Sequence, residues 1–436
     1  MLTLPMNLKF SSTINISWYF KYHVIALLIG IPAFCSAQQT DTIQHIISGN
    51  RNSAEQQNKP YVILISADGF RYDYAEKYHA SHLLDLSNGG VRAASMIPSF
   101  PSVTFPNHYT LVTGMYPSHH GLVNNSFYDE KRNDKYSMSA KDKVRDGSWY
   151  GGTPLWVLAE QQHMIAASMF WVGSEAAVQG VRPTYYYDYT EQIKPDARIQ
   201  VVKNWLSLPA DRRPHLITFY LSEPDHAGHS FGPDAPQTEK AVKEVDSIVF
   251  QLTEAVKSMG LDVNFVFVAD HGMTAVDREH PLPTPAAIDP EKFIIASSGT
   301  MMDVHAKNKA DILPLYEELK KSEKDYKVYL KTNMPAKYHY DAVDDKMNHI
   351  GDILLIPDWP KVFSNRKPGI GHHGFDPLVV KDMHATFFAW GPAFKKNKKI
   401  SSFENVNVYP LITEILNLPN TEKIDGNKKV LHGILK

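Results

Sequence analysis

From Tyr61 onward the chain alternates short apolar runs with longer segments of mixed polarity. The runs are YVILISAD (61–68), MIAASMFWVG (164–173), HLITFYL (215–221), NFVFVAD (264–270), DILLIPD (352–358) and ATFFAWG (385–391). Each is continuous rather than alternating, as a strand covered on both faces should be. The segments between them carry a 3.6-residue period. In TEKAVKEVDSIVFQLTEAVKSMG the apolar Val242, Val245, Val249, Leu252 and Val256 form one stripe, and Gly260 is a natural stop. DARIQVVKNWLSL and NVYPLITEILNL behave similarly. Strand–helix alternation predicts an α/β domain with a mostly parallel central sheet and helices on both faces.

Two stretches depart from this rhythm. Residues 38–59 read as a polar lead-in. Residues about 295–365 are richer in Lys and Asp, with a charged helix near 309–322 and short strands at YKVYLK and DILLIP, and are expected to form a small inserted subdomain. The first 37 residues read as an export signal: Lys9 and Lys21 precede the apolar run HVIALLIGIPAFC, which ends in Cys35-Ser36-Ala37. The run is too short for the ~20 residues of a spanning helix, and the small-x-small ending suits cleavage after Ala37. Cleavage removes the single cysteine. An exported chain without disulfides fits a bacterial periplasm or cell surface, with no membrane span left.

Of the 436 residues, 43% are apolar and 21% charged, and the formal charge is −2. That balance supports a large core and offers no basic face for nucleic acid. No protein partner is evident.

Three of the apolar runs lead into acids. YVILISA ends in Asp68, HLITFYL reaches Asp225 four residues later, and NFVFVA ends in Asp270, followed by His271. If the strands are parallel, all three acids lie at one edge of the sheet, where such sheets bind ligands. Asp225 and His229 are four apart, the spacing that stacks two side chains on one helical turn. Carboxylates with imidazoles suit Zn²⁺. IGHHGFDP (370–377) adds His372, His373 and Asp376 between glycines. Thr104 precedes Phe105-Pro106, and proline favours a helix's first turn, so Thr104 sits where free N–H groups attract an anion.

The segments ISADGFRYDY, TFPNHYTLVTGMYPSHHGLVNNSFYD, SEPDHAGHSFGP, ADHGM and GHHGFD…DMHATFFAWGPAFK, in that order, resemble the nucleotide pyrophosphatase/phosphodiesterase family of the alkaline phosphatase superfamily, in a bacterial single-domain form. The resemblance implies a catalytic domain over 60–436 and two Zn²⁺. Asp225, His229 and His373 would hold one. Asp68, Asp270, His271 and the nucleophile Thr104 would hold the other. His373 is preferred to His372 because the family pattern is G-x-H-G. Asn125 would contact phosphate, and Phe105, Tyr189 and Tyr220 the nucleotide base. His226 has no role in the family and is expected to be solvated. The implied reaction is zinc-dependent hydrolysis of nucleotide phosphodiester and pyrophosphate bonds through a threonyl-nucleotidyl intermediate, releasing nucleoside 5′-monophosphates.

The alternatives are a phosphodiesterase of the same fold acting on choline-phosphate or lysophospholipid head groups, and a non-catalytic zinc or nucleotide binder. The first wants an acid or aromatic cage for a quaternary ammonium, and the sequence offers no acid that can be placed there. The Cys/Ser-x-Pro-x-Arg signature of a sulfatase is absent, Thr104-Phe105-Pro106-Asn107 standing in its place.

Overall fold

The computed structural model describes residues 42–436. The expected export signal lies outside the described residues. Nine strands form the central sheet: β1 (His45–Ile46), β2 (Tyr61–Ala67), β3 (Val91–Ala93), β4 (Ala166–Met169), β5 (Tyr185–Tyr187), β6 (Leu216–Leu221), β7 (Val263–Val268), β8 (Phe387–Trp390) and β9 (Lys398–Ile400). Their order across the sheet is β1-β5-β4-β6-β2-β7-β8-β3-β9. Only β1 and β8 run against the others. The middle strands are the continuous apolar runs, and every residue of β6 and β7 is buried.

The helices that matter to the site are α1 (Thr104–Thr113), α2 (Pro195–Leu206), α3 (Asp225–Phe231), α4 (Pro236–Lys257) and α5 (Val408–Leu416). They form two groups on the sheet: α2 packs with α4, while α5 packs with α1 and against β2. The predicted stripe of α4 is its buried face, with Val242, Val245, Val249, Leu252 and Val256 all inside. Each such side chain contributes about 1.5–3 kcal/mol on burial. The helix stops within three residues of Gly260, which takes φ +68°.

A second, fully antiparallel sheet lies between β7 and β8 in the chain. It comprises Phe293–Ser297, Met302–Ala306, Tyr326–Leu330 and Ile353–Pro357, backed by a helix over Ile312–Lys321. It has its own core, including Met302, Val304, Leu315, Leu319, Val328 and Leu355. The run DILLIPD belongs here rather than to the central sheet. The described part of the polar lead-in, from residue 42, is packed down too: β1 pairs with β5, and the buried Asn52 donates to the carbonyls of Ala210 and Arg213. Among the described residues no helix is long and apolar enough to cross a membrane.

Candidate active site

Strands β6, β2 and β7 are neighbours and parallel. Their C-terminal ends therefore deliver Asp225, Asp68 and Asp270 to one edge of the sheet, and all three are buried. Backbone bonds lock the spacing. Asp225 N–H donates to Asp68 O at 3.0 Å, and Gly69 N–H donates to Asp270 Oδ1 at 3.1 Å. Gly69 takes φ +67°, and a Cβ there would meet Asp225 Cα and Cβ at 3.0 Å, so only glycine lets these two loops approach. Gly371 does the same for the last loop, since a Cβ on it would strike the Gly228 carbonyl of α3.

Three imidazoles converge on the acids. Each donates Nδ1–H to a backbone carbonyl: His229 to Gly371 O at 2.8 Å, His271 to Gly272 O at 2.9 Å, and His373 to Ser102 O at 3.1 Å. A carbonyl only accepts, so in the neutral rings the lone pair falls on Nε2. Those Nε2 atoms face the carboxylates. His271 Nε2 lies 3.0 Å from Asp270 Oδ2 and 3.5 Å from Asp68 Oδ1. His229 and His373 Nε2 lie 3.5 and 3.7 Å from Asp225 Oδ1, and 3.1 Å from each other.

Asp68 Oδ1, Asp225 Oδ1 and Asp270 Oδ2 are buried without a hydrogen bond. Apart from the Thr104 hydroxyl and the His108 ring at the edge of the group, lone pairs crowd together without donors, and a divalent cation satisfies such a set. Asp68, Asp270 and His271 offer ligand atoms within 4.8 Å of one another, and so do Asp225, His271 and His373, which places His271 between the two groups. His372 points elsewhere: its ring meets that of His229 edge-on at 5.7 Å.

The electrostatics agree. Burial, then repulsion from Asp270 and Asp225, pushes the Asp68 carboxyl well above its usual range. Burial would raise Asp270 too, but His271 and His108 overcome it and hold that carboxyl well below its usual range. Burial, then the charges of His271 and His229, holds His373 well below the ordinary imidazole value.

Thr104 begins α1, with Gly114 at φ +67° closing the helix. Its Oγ1 donates to His271 Nε2 at 3.2 Å. Asn125 sits beside it, its Oδ1 accepting the Phe105 N–H at 2.8 Å. Sequence reasoning missed His108, one turn along α1. Its Nδ1 lies 3.0 Å from Thr104 O and 3.2 Å from Asp270 Oδ2, and its Nε2 is 2.8 Å from Ser66 Oγ. The i, i+4 spacing of Thr104 and His108 was the available signal.

A pocket of about 410 Å³ opens from this cluster. Asp68, Thr104 and Asp225 form its floor; Phe105, Phe170, Trp171, Tyr189 and Tyr220 line its walls. Phe105 is half-buried and Tyr189 is exposed. Glu175, Glu191, Lys141 and His226 also line it. His226 therefore faces the pocket, 3.5 Å from Glu191, which also accepts the Tyr189 hydroxyl at 3.0 Å.

The family model described as type I phosphodiesterase / nucleotide pyrophosphatase matches residues 62–376. Ectonucleotide pyrophosphatase/phosphodiesterase family member 1 of Rattus norvegicus is 35% identical over 389 residues, covering 83% of this chain and 42% of the relative. The chain thus spans under half the length of that relative. An uncharacterized pyrophosphatase/phosphodiesterase of Schizosaccharomyces pombe is 33% identical over 398 residues, covering 86% of this chain and 80% of the relative. Among solved structures, murine ectonucleotide pyrophosphatase/phosphodiesterase 5 superposes with a TM-score of 0.80 at 27% identity, over 86% of this chain and 100% of the neighbour. The same mouse protein, in an inactive threonine-to-alanine form in complex with AMP, also superposes at 0.80, with 26% identity over 87% of this chain and 100% of the neighbour. Fold, motif order and these likenesses agree: the chain belongs to the type I phosphodiesterase / nucleotide pyrophosphatase family, within the alkaline phosphatase superfamily.

Proposed function

We propose that the protein hydrolyses nucleotide phosphodiester and pyrophosphate bonds, with Thr104 as nucleophile and nucleoside 5′-monophosphate as product. The observation that carries this reading is one continuous pocket. It joins a buried Asp/His cluster and the hydroxyl of Thr104 at its floor to the aromatic walls of Phe105 and Tyr189.

Asp225, His229 and His373 would hold one zinc ion, and Asp68, Asp270, His271 and Thr104 the other. A pair of such ions lowers the pKa of a hydroxyl and stabilises attacking and leaving oxygens in phosphoryl displacement. The residues do the rest. Thr104 Oγ attacks phosphorus, an Oγ–P bond forms, and the bond to the leaving oxygen breaks. Water then attacks the nucleotidyl-threonine and restores the hydroxyl. Asn125, held by its bond from Phe105 N–H, presents its amide nitrogen to the phosphoryl oxygen. His108 keeps Asp270 and the first turn of α1 in register. Phe105 and Tyr189 receive the base. The mouse structure holding AMP with a threonine replaced by alanine is in keeping with this assignment. The rat relative is named an ecto-enzyme, and we place this protein outside the cytoplasm, in a periplasm or on a cell surface.

A second reading draws on one observation. Glu191 stands at the pocket mouth with Tyr189, Phe170 and Trp171, a wall suited to a quaternary ammonium. One assay separates the two. The purified protein with zinc is given an aryl ester of a nucleoside 5′-monophosphate, ATP, and glycerophosphocholine. Release of nucleoside monophosphate, lost in Thr104→Ala while bound zinc is unchanged, supports the proposal. Turnover of glycerophosphocholine alone, or an active Thr104→Ala, defeats it.

A further inference from the structure

Asn125, which holds the Phe105 N–H beside Thr104, ends the segment 121–125, and buried side chains of the inserted subdomain bond that backbone at two points and stand beside it at a third. His349 donates Nδ1–H to Gly121 O at 2.6 Å. Tyr340 donates its hydroxyl to Val123 O at 3.0 Å. Asp303, on the strand Met302–Ala306, puts its carboxyl beside the Asn124 side chain. All four of these side chains, Asn124 included, are buried completely.

The third point stands apart. A fully buried carboxyl is costly unless it serves a partner. Gly351 N–H gives Asp303 Oδ1 only a long bond of 3.4 Å, and Asp303 Oδ2 has none. Across from it, Asn124 Nδ2 is also buried without an acceptor. The other end of that amide is occupied, because Asn124 Oδ1 accepts the Asn125 N–H at 2.8 Å. Asn125 Oδ1 in turn accepts the N–H of Phe105, the residue after Thr104, at 2.8 Å. Two bonds thus run from the Asn124 amide through Asn125 to the start of α1, and at the other end the Asp303 carboxyl and the Asn124 NH₂ stand side by side, complementary and buried, Oδ2 and Nδ2 each without a hydrogen bond of its own.

We propose that Asp303 is a positioning residue for Asn125. Its carboxylate decides which way the Asn124 amide is turned. With the NH₂ drawn toward Asp303, the carbonyl oxygen must face the Asn125 N–H, and that fixes the backbone from which Asn125 reaches the substrate. The inserted subdomain is then part of the catalytic apparatus without touching substrate. This inference rests on the reading of Asn125 as a phosphoryl contact.

The test uses steady-state kinetics on an aryl ester of a nucleoside 5′-monophosphate. Asn125→Ala, Asn124→Ala, Asp303→Ala and Asp303→Asn are compared, with each of the last three also made in the Asn125→Ala background. Melting temperature and bound zinc are followed throughout. Asn125→Ala is expected to lower kcat by about 10²–10³. Asn124→Ala and Asp303→Ala should each lower kcat by about tenfold, with KM within about twofold and zinc unchanged. Neither should cause further loss once Asn125 is alanine. Asp303→Asn keeps an acceptor oxygen and should recover most of the rate; should Asp303→Ala not fold, it and Asn124→Ala carry the comparison. The same fractional loss in both backgrounds would mark general damage and overturn the proposal, as would wild-type kcat in Asn124→Ala. If Asn125→Ala alone keeps full activity, the reading of Asn125 fails, and the relay with it.

Discussion

Tyr220 donates its hydroxyl hydrogen to Asp68 Oδ2 at 2.7 Å, the only hydrogen bond made to that carboxylate among the described side chains. The bond favours the ionised carboxylate against burial and the repulsion of Asp270 and Asp225. Tyr220 lines the pocket with its ring, so it serves both the wall and the proposed metal cradle. Tyr220→Phe separates the two roles, because the ring stays and the donor goes. Loss of a bond to a metal-ligating carboxylate costs about 10–100-fold in affinity or activity. We expect kcat and zinc affinity to fall within that range while KM for a nucleotide ester changes little. Chelator competition and steady-state kinetics on the same preparation check both.

Removal of the metal has a stability consequence as well as a catalytic one. Three buried carboxylates share the cluster, each with an oxygen that has no hydrogen bond. Without a cation their mutual repulsion is unopposed. A chelator should therefore abolish hydrolysis and lower the melting temperature, and added Zn²⁺ should restore both. A melting curve indifferent to chelator would contradict the cradle.

Much of this was legible in the sequence, for particular physical reasons. A parallel strand buried on both faces has few polar positions, so β2, β6 and β7 announced themselves, and the cluster acids follow β2 and β7 within two residues and β6 within four. The α4 stripe was legible because its buried face repeats over several turns. The short strands β1, β3 and β9 were not, since two or three residues show no period. Nor was the reach of the inserted subdomain to Asn124, because Asp303 follows it by 179 positions in sequence and only the folded chain brings them together. His226 is exposed, as expected, but it is exposed at the pocket mouth, because α3 begins at Asp225 and turns the next side chain toward Glu191.

The base-binding wall can be tested by choice of substrate. Phe105 follows Thr104, the proposed nucleophile, and Tyr189 stands across the pocket, its hydroxyl held by Glu191. Stacking on one aromatic ring contributes about 1–3 kcal/mol per base. Phe105→Ala should raise KM for nucleotide esters roughly 10-fold, taking about 1.4 kcal/mol per factor of ten. Hydrolysis of bis(p-nitrophenyl) phosphate, which has no nucleobase, should lose much less. Equal losses on both substrates would mean that Phe105 acts through Thr104 instead of through the base.

His119 predicts a pH dependence of stability remote from the Asp/His cluster. Its Nδ1 lies 2.7 Å from Asp425 Oδ2 and its Nε2 3.2 Å from Asp344 Oδ1, so both ring nitrogens face carboxylates. The bond to Asp425 raises its pKa, burial opposes, and Asp344 adds to the rise. Asp425 also accepts the Tyr116 N–H at 2.8 Å, and its own N–H donates to Gly114 O at 2.9 Å. The charged ring therefore ties the C-terminal segment and the inserted subdomain to the end of α1. A raised pKa means that the folded state binds this proton more tightly than the unfolded state does. The stabilisation is then complete below the ordinary value of 6.5 and is lost as pH rises through the folded value. Partly exposed pairs of this kind contribute about 0.2–1 kcal/mol, which corresponds to a melting-temperature change of up to about 1 °C in a chain of this size. Melting curves from pH 6 to 9 should show the wild type losing that increment and His119→Gln lacking it, with the two converging at the alkaline end. A His119→Gln variant with the same pH slope as wild type would assign the effect to another group.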